Sequence, residues 1–172
     1  LSTARIDGTD QIPLLEDLLS TWPELRINID CKSDAAMQPL IDTIRRTNCL
    51  DRICIGSFSD KRLRHIRSEL GTSLCTSMGP QEVVRLVLGS NTGIPLNPSR
   101  HALIAQVPVR QGPIPVVTRK SISRAHRLGI QVHVWTIDDP LEIGRLLDLG
   151  VDGIMSDDTR ALKDVFVARH LW

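Results

Sequence analysis

Along this chain, segments with the hydrophobic pattern of β-strands alternate with segments that have the pattern of α-helices. Short apolar runs typical of β-strands lie near residues 27–31, 53–57, 73–76, 102–107, 131–136 and 153–156. Patterns with helical spacing lie near residues 13–21, 35–48, 60–70, 80–89, 119–128, 140–149 and 159–168. This regular alternation predicts an α/β fold in which helices cover a parallel sheet.

Residues that start and stop helices support these boundaries. Ser59 is placed to cap the helix that Gly71 ends. Pro140 occupies a first helical position after Asp139, and Gly150 follows the last turn of the same helix. The helices near 60–70 and 140–149 are therefore the best delimited.

Six strands that alternate with helices are compatible with two architectures. An open, doubly wound sheet would be complete at 172 residues, whereas a closed (β/α)8 barrel needs roughly 200 or more. The glycine-rich phosphate motifs that would favour the open sheet are absent. Periodicity alone predicts an open sheet or a partial barrel, in one domain over residues 1–172, with a long loop region around one strand at 90–118.

One predicted strand carries charge on a single face. From Arg26 to Lys32 the residues alternate between polar and apolar, so Asn28, Asp30 and Lys32 project from the same side. Burying a carboxylate and an ammonium is costly unless they are paired or bound to a ligand. We interpret this face as part of a site, with a structural ion pair as the alternative.

Composition excludes several classes of protein. The net charge is +1, and with three Trp, two Phe and no Tyr the chain offers neither a basic surface nor rings for nucleic-acid stacking. No apolar run approaches the roughly 18 residues of a membrane span, so stable membrane insertion is not expected. The four cysteines show no C-x-x-C pair, and those in strands are expected to act as small apolar residues. A cytoplasmic location is preferred, with the periplasm or secretion left open.

Five motifs resemble one enzyme family. Residues 132–138 (VHVWTID) and 149–157 (LGVDGIMSD) are similar to the carboxyl-terminal signature of glycerophosphodiester phosphodiesterases. Residues 12–19 resemble that family's helix motif I-P-x-L-x-E-x-L, residues 29–32 its strand motif I-E-I-K, and Ser57-Phe58 the S-F that ends the following strand. The motifs occur in the family's order, which makes the resemblance specific.

The resemblance implies a partial (β/α)8 TIM barrel made of strands three to eight. The family's H-R-G, E-N-T and E-x-D motifs and its second catalytic histidine do not occur in these 172 residues. We therefore expect the chain to correspond to the last two-thirds of the enzyme and to be inactive alone. Six strands leave two unpaired edges, which predicts a homo-oligomer or a missing amino-terminal segment that completes the barrel.

The family's site residues transfer to only a few positions. Asp30 matches a glutamate that binds the metal ion, implying a divalent cofactor such as Ca²⁺ or Mg²⁺, although aspartate is one methylene shorter. Lys32 matches the active-site lysine, whose charge suits a phosphate oxygen. Trp135 and Phe58 correspond to substrate-binding positions. Asp138 stands where asparagine is usual, which we interpret as drift.

The implied reaction is metal-dependent hydrolysis of a small-molecule glycerophosphodiester to glycerol 3-phosphate and an alcohol such as choline or ethanolamine. Two alternatives remain open: a non-catalytic phosphate-binding or regulatory module of the same fold, and a related phospholipase-type phosphodiesterase or lyase. The first would keep the phosphate-facing wall without the acid–base pair, and the second would share the metal site and differ in its product.

Four further features of the sequence can be explained by structural roles alone. Trp135 could equally be core packing. His133 is expected to be a buried, hydrogen-bonded core histidine, and the basic run 61–67 a solvated helix face. Ser57 lacks a G-x-S-x-G context and is not expected to be a nucleophile.

Overall fold

A computed structural model of the chain describes residues 4–99 and 101–172. The predictions for a single domain over 1–172 and for a loop region at 90–118 include Leu1–Thr3 and Arg100, which lie outside the described residues.

Strands form at all six predicted positions. They are β3 (Ile27–Asp30), β4 (Ile53–Gly56), β5 (Cys75–Thr76), β6 (Ile104–Val107), β9 (Gln131–Val134) and β10 (Gly153–Ile154). Two antiparallel hairpins were not predicted: β1 (Arg5–Ile6) with β2 (Asp10–Gln11), and β7 (Arg110–Gln111) with β8 (Ile114–Pro115). All four of these strands are exposed, so they lack the apolar runs from which the other six strands were predicted.

The seven predicted helices also form. They are α1 (Leu15–Thr21), α2 (Met37–Thr47), α3 (Asp60–Leu70), α4 (Pro80–Thr92), α5 (Arg119–Arg127), α6 (Pro140–Leu149) and α7 (Thr159–Ala168). Short 3₁₀ turns occupy Asp34–Ala36 and Leu50–Arg52. No helix among the described residues is long and apolar enough to cross a membrane.

The predicted caps explain the ends of two helices. The Ser59 side chain accepts a hydrogen bond from the Arg62 amide at the start of α3, and Asp139 accepts one from the Leu141 amide at the start of α6. Gly150 ends α6 with φ +101°, a left-handed conformation that costs glycine little. The local sequence thus determines where these helices begin and end.

Strand order decides between the two predicted architectures. The strands β3, β4 and β5 form one parallel sheet, and β6, β9 and β10 form another. A parallel bridge between Ser77 and Ile104 joins the two sheets, and the Met78 amide donates to the Ile104 carbonyl at 2.8 Å. The six strands therefore lie side by side in chain order. A doubly wound sheet would reverse its order at a switch point, so the structure selects the partial barrel; within the described residues it does not close.

Alternate residues of each strand pack against the helices. In β4, Ile53 and Ile55 are buried in one apolar cluster, whereas Cys54 between them is partly exposed on the opposite, inner face. In β9, Val132 and Val134 are buried in the same way in a second cluster. Burying each large aliphatic side chain stabilises the fold by about 1.5–3 kcal/mol. The core therefore lies between strands and helices, which leaves the inner face for polar groups.

Candidate active site

The residues singled out from the sequence lie at the carboxyl ends of the parallel strands. Asp30 is the last residue of β3, Phe58 lies two residues beyond β4, and Trp135 directly follows β9. Because the strands are parallel, these ends meet at one edge, where (β/α) barrels carry their active sites. The structure thus brings Asp30, Lys32, Phe58 and Trp135 to one edge. The roles that the resemblance assigns to them stay predictions.

Asp30 and Lys32 form a long, exposed ion pair. The Lys32 Nζ lies 3.8 Å from Asp30 Oδ2, and the lysine side chain is 84% exposed. Exposed pairs of this kind contribute little to stability because water screens them and both side chains lose conformational freedom. The pair therefore leaves the ammonium available to an anionic ligand.

The peptide between those two residues is held much more firmly. The Cys31 carbonyl accepts hydrogen bonds from Ser57 Oγ at 2.7 Å and from Arg62 Nη1 at 2.9 Å. The Cys31 amide donates to the Gly56 carbonyl at 2.9 Å. These bonds fix the backbone from which Asp30 and Lys32 project. Ser57 is buried and acts as a structural donor here.

Arg62 is the positioning residue that the sequence interpretation missed. Its Nε donates to Asp34 Oδ1 at 2.9 Å, and its side chain is only 19% exposed. Hydrogen bonds from Arg62 and Lys61 lower the pKa of the Asp34 carboxyl. Arg62 lies three residues after the Ser59 cap, in the first helical turn beyond a strand. This location, just beyond the carboxyl end of a strand, is the sequence feature that could have indicated a side chain near the site.

The prediction of a solvated basic helix face is wrong for two of its arginines. Lys61 is 74% exposed, as expected, but the side chains of Arg62 and Arg67 are 19% and 13% exposed. Arg67 bonds to Glu82 with both Nη atoms at 3.1 Å. Helical spacing of the apolar residues does not reveal that long flanking side chains can reach partners on neighbouring elements.

An aromatic pair spans the two sheets at the same edge. The rings of Phe58 and Trp135 meet edge to face, with centroids 5.7 Å apart and planes at 79°. Phe58 is 71% exposed and Trp135 is partly buried. Such a pair contributes about 0.5–1.5 kcal/mol beyond its buried area. Phe58 thus packs against Trp135, and most of its ring remains accessible to a ligand.

Polar side chains occupy the inner face beneath this edge. Gln106 Nε2 donates to Asn28 Oδ1 at 2.8 Å, which links β6 to β3. Gly56 leaves room for this contact, since a Cβ there would lie 3.2 Å from Gln106 Oε1 and 3.3 Å from Ser77 Oγ. Asn28 shares its face with Asp30, as the strand alternation predicted.

His133 was expected to lie in the core, but the structure places it on the same inner face as Asn28 and Gln106. Its Nε2 is 3.3 Å from Gln131 Oε1, and it is partly buried. Burial lowers the pKa of the imidazole, although the charge of Asp152 opposes the shift. A Cβ on Gly153 would lie 2.7 Å from the His133 ring, so the glycine makes room for it.

Asp138 has a definite structural function. Its Oδ1 accepts hydrogen bonds from Ser156 Oγ at 2.8 Å, from the Asp157 amide at 2.8 Å and from the Asp158 amide at 3.3 Å. These donors, led by Ser156, lower the pKa of the carboxyl. The side chain joins the segment after β9 to the segment after β10, which any oxygen acceptor at this position could do.

The described residues do not form a metal site by themselves. Across residues 4–99 and 101–172, no three His, Cys, Asp or Glu side chains lie together as a metal would require. Among these residues, Asp30 therefore has no two further side chains of these types grouped with it. Two surface cavities of about 230 and 340 Å³ are lined by other residues, around Arg124 and around Arg64 respectively, and neither includes the predicted site.

Comparison with known proteins gives a consistent result. Residues 7–161 match the model of the glycerophosphoryl diester phosphodiesterase family. A probable glycerophosphodiester phosphodiesterase 2 of Mycobacterium tuberculosis is 36% identical over 176 residues, covering 98% of this chain and 65% of the relative. Lysophospholipase D GDPD1 of Rattus norvegicus is 25% identical, covering 93% and 58%. The chain thus spans less than two-thirds of the length of these relatives.

A solved structure shares the fold. The glycerophosphodiester phosphodiesterase from Parabacteroides distasonis superimposes with a TM-score of 0.73 at 17% identity, covering 97% of this chain and 69% of that one. At this identity the likeness establishes the fold alone.

Proposed function

Because the chain belongs to the glycerophosphoryl diester phosphodiesterase family, we propose that its carboxyl edge binds a glycerophosphodiester. In a protein that also carries the H-R-G and E-x-D motifs, we propose that this edge takes part in hydrolysis to glycerol 3-phosphate and an alcohol. The observation that carries the proposal is the Lys32 ammonium. It is 84% exposed and lies 3.8 Å from Asp30 Oδ2, at the same strand edge as the aromatic pair of Phe58 and Trp135.

Each side chain has a proposed role. The Lys32 ammonium pairs with a non-bridging phosphate oxygen, where a charge-assisted contact is strong. Phe58 and Trp135 form an apolar wall for the carbon atoms beside the phosphate. In hydrolysis, a water oxygen bonds to phosphorus, the bond to the alcohol oxygen breaks, and the alcohol takes up a proton. A fixed positive charge favours this step because negative charge grows on the phosphoryl oxygens.

A divalent ion such as Ca²⁺ or Mg²⁺ is proposed only as a partner of Asp30. These ions take roughly six to eight oxygen ligands, and the described residues bring no three candidate side chains together. The residues present therefore do not fit a complete metal site, and no step is assigned to a metal ion.

Binding and turnover should be measured separately on the 172-residue chain. We propose that it binds glycerophosphocholine and glycerol 3-phosphate in calorimetric titrations but does not release glycerol 3-phosphate, because it lacks the H-R-G and E-x-D motifs. Release of glycerol 3-phosphate with added Ca²⁺ or Mg²⁺ would overturn the proposed inactivity. Binding that is absent, or insensitive to replacement of Lys32, would overturn the proposed phosphate contact.

A non-catalytic phosphate-binding module is the second candidate. It is favoured by the lack of a three-ligand metal cluster among the described residues. The coding sequence immediately upstream of Leu1 separates the two candidates: H-R-G and E-x-D in frame would support the enzyme, and a start codon at that point would support the binding module.

A phospholipase-type activity is the third candidate. It is favoured by the 71% exposed Phe58 ring, and a relative bears the name lysophospholipase D. Release of choline from lysophosphatidylcholine would support it, and a cyclic phosphate product would indicate a lyase.

We also propose a reducing compartment such as the cytoplasm. All four cysteines are free in the structure, and free thiols persist where disulfides are kept reduced.

A further inference from the structure

Two cysteines face each other on adjacent strands. Cys54 in β4 and Cys75 in β5 are register partners in a parallel pair. The residues beside them in sequence, including Ile53, Ile55 and Thr76, are buried on the helix side. Because a strand alternates its side chains, both thiols lie on the opposite, inner face, where both residues are partly exposed. This placement corrects the expectation that strand cysteines here act simply as apolar residues.

The spacing of the two residues suits a covalent bond. Neighbouring strands lie about 4.7–4.9 Å apart, and disulfide-linked residues have Cα atoms about 4.4–6.8 Å apart. Register partners on adjacent strands meet this condition without moving either strand along its axis.

The two thiols are also chemically unequal. They hydrogen-bond to each other, and the bond from Cys54 lowers the pKa of Cys75 to about 7. The same bond, together with burial, raises the pKa of Cys54. Near neutral pH, Cys75 is thus partly a thiolate and Cys54 remains a protonated thiol. A nucleophilic thiolate beside a second thiol is the arrangement of oxidation-sensitive cysteine pairs.

The other two cysteines differ from this pair in their exposure to solvent. Cys31 and Cys49 are 2% and 0% exposed and belong to the apolar core. Burial raises the pKa of Cys31, and its Sγ donates weakly to the Ser33 carbonyl at 3.6 Å. Neither is accessible to a dissolved oxidant while the chain is folded.

We propose that Cys75 and Cys54 form an oxidation-sensitive dithiol, in which a peroxide oxidises Cys75 and Cys54 converts the product into a disulfide. The Cys75 thiolate attacks one peroxide oxygen, the O–O bond breaks, and a sulfenic acid forms as the released oxygen leaves as water after protonation. The Cys54 sulfur then attacks the Cys75 sulfur, the S–O bond breaks, and the hydroxyl leaves as water with the Cys54 proton. Two thiols lose two electrons and two protons, and one hydrogen peroxide becomes two waters.

This modification site does not depend on the proposed hydrolysis. Neither Asp30 nor Lys32 takes part in it, and the thiols lie deeper along their strands than Gly56 and Ser77, away from the carboxyl edge. The test therefore needs no activity measurement, and its failure would leave the proposed function untouched.

Trypsin makes the test direct, because it places each cysteine in a separate peptide. The expected peptides are residues 27–32, 47–52, 53–61 and 68–85. The folded chain is treated with a small excess of hydrogen peroxide, blocked with N-ethylmaleimide, digested and analysed by mass spectrometry. We expect the intact mass to fall by two hydrogens and peptide 53–61 to be linked to peptide 68–85.

Variants separate the roles of the two thiols. In Cys54→Ser, we expect dimedone to trap a sulfenic acid on peptide 68–85; in Cys75→Ser, we expect no adduct on peptide 53–61. Cys49→Ala is the control and should still form the link, with circular dichroism verifying that each variant is folded. Linkage through Cys31 or Cys49, a disulfide between two chains, or no oxidation of the folded chain would overturn the proposal.

Discussion

Gln106 and Asn28, 78 residues apart in the chain, are joined by a 2.8 Å hydrogen bond between β6 and β3. Two strands, β4 and β5, separate those elements in the sheet order. In a flat sheet, three steps of about 4.8 Å would hold the two backbones about 14 Å apart, with both side chains pointing the same way. The contact therefore requires the four strands from β3 to β6 to curl as a barrel wall does, with these side chains on the concave face.

The first prediction concerns this hydrogen bond. A double-mutant cycle with Asn28→Ala and Gln106→Ala should give a coupling free energy of about 0.5–1 kcal/mol, typical of one neutral hydrogen bond. Urea unfolding of the four proteins measures it. The pair Asn28→Ala and Gln131→Ala should be additive, because the Gln131 side chain bonds to His133 and that of Asn28 to Gln106. Additive energies for the first pair would mean that the sheet is flatter than described.

The second prediction concerns the most buried ion pair among the described residues. Arg67 and Glu82 are 13% and 12% exposed, and Arg67 also donates to Thr76 Oγ1 at 2.9 Å. Arg67→Ala should lower the free energy of unfolding by about 3–5 kcal/mol, because it leaves the Glu82 charge buried without its partner. Arg145→Ala, which breaks an exposed pair, should cost at most about 0.5 kcal/mol. Similar losses in the two variants would contradict the prediction.

The third prediction is the pH dependence of the same pair. Burial alone would raise the pKa of Glu82, but hydrogen bonds from Arg67, Ser99 and the Gly79 amide lower it below the ordinary value of 4.5. A depressed carboxyl pKa stabilises the folded state fully above 4.5, and this stability is lost as the pH falls through the folded-state pKa. Thermal unfolding should show a steeper loss below pH 4.5 for the wild-type chain than for Glu82→Gln. Parallel curves would contradict this.

The fourth prediction tests the phosphate contact. Lys32→Ala should weaken binding of glycerol 3-phosphate by roughly 10- to 100-fold, the effect of losing one charge-assisted hydrogen bond. Because Lys32 is 84% exposed, the free energy of unfolding should change by less than about 0.5 kcal/mol. Lys61→Ala, at a similarly exposed lysine paired with Asp34, is the matched control for calorimetry. Equal loss of affinity in both variants would indicate only a general charge effect.

The fifth prediction concerns thiol reactivity. Alkylation of Cys75 by iodoacetamide should reach half its maximal rate near pH 7, because only the thiolate reacts and its pKa is about 7. In Cys54→Ala the midpoint should rise toward the ordinary value of 9.0, since the hydrogen bond is lost. On its other side, Cys54 has Asn28 as its register partner, and that side chain carries no charge. An unchanged midpoint would assign the shift to another cause.

Much of the fold could be predicted because it is encoded locally. The strand and helix positions follow from hydrophobic periods of about 2 and 3.6 residues, which neighbouring residues determine. Ser59, Asp139 and Gly150 mark helix ends for the same reason, since each cap acts within a few residues of its own position. The shared face of Asn28, Asp30 and Lys32 likewise follows from strand alternation alone.

Only the tertiary structure decided how these elements meet. Three features depend on residues far apart in sequence. They are the order of the strands, the curvature indicated by the hydrogen bond between Asn28 and Gln106, and the hydrogen bond from Arg62 to the Cys31 carbonyl. The facing of Cys54 and Cys75 likewise depends on which strands pair and in which register. A sequence pattern specifies which side of an element is polar, but long-range packing determines which polar side chains come within hydrogen-bonding distance. The sequence therefore determined the elements and the family of this protein, and the packing of distant segments decided its architecture and the contacts around the candidate site.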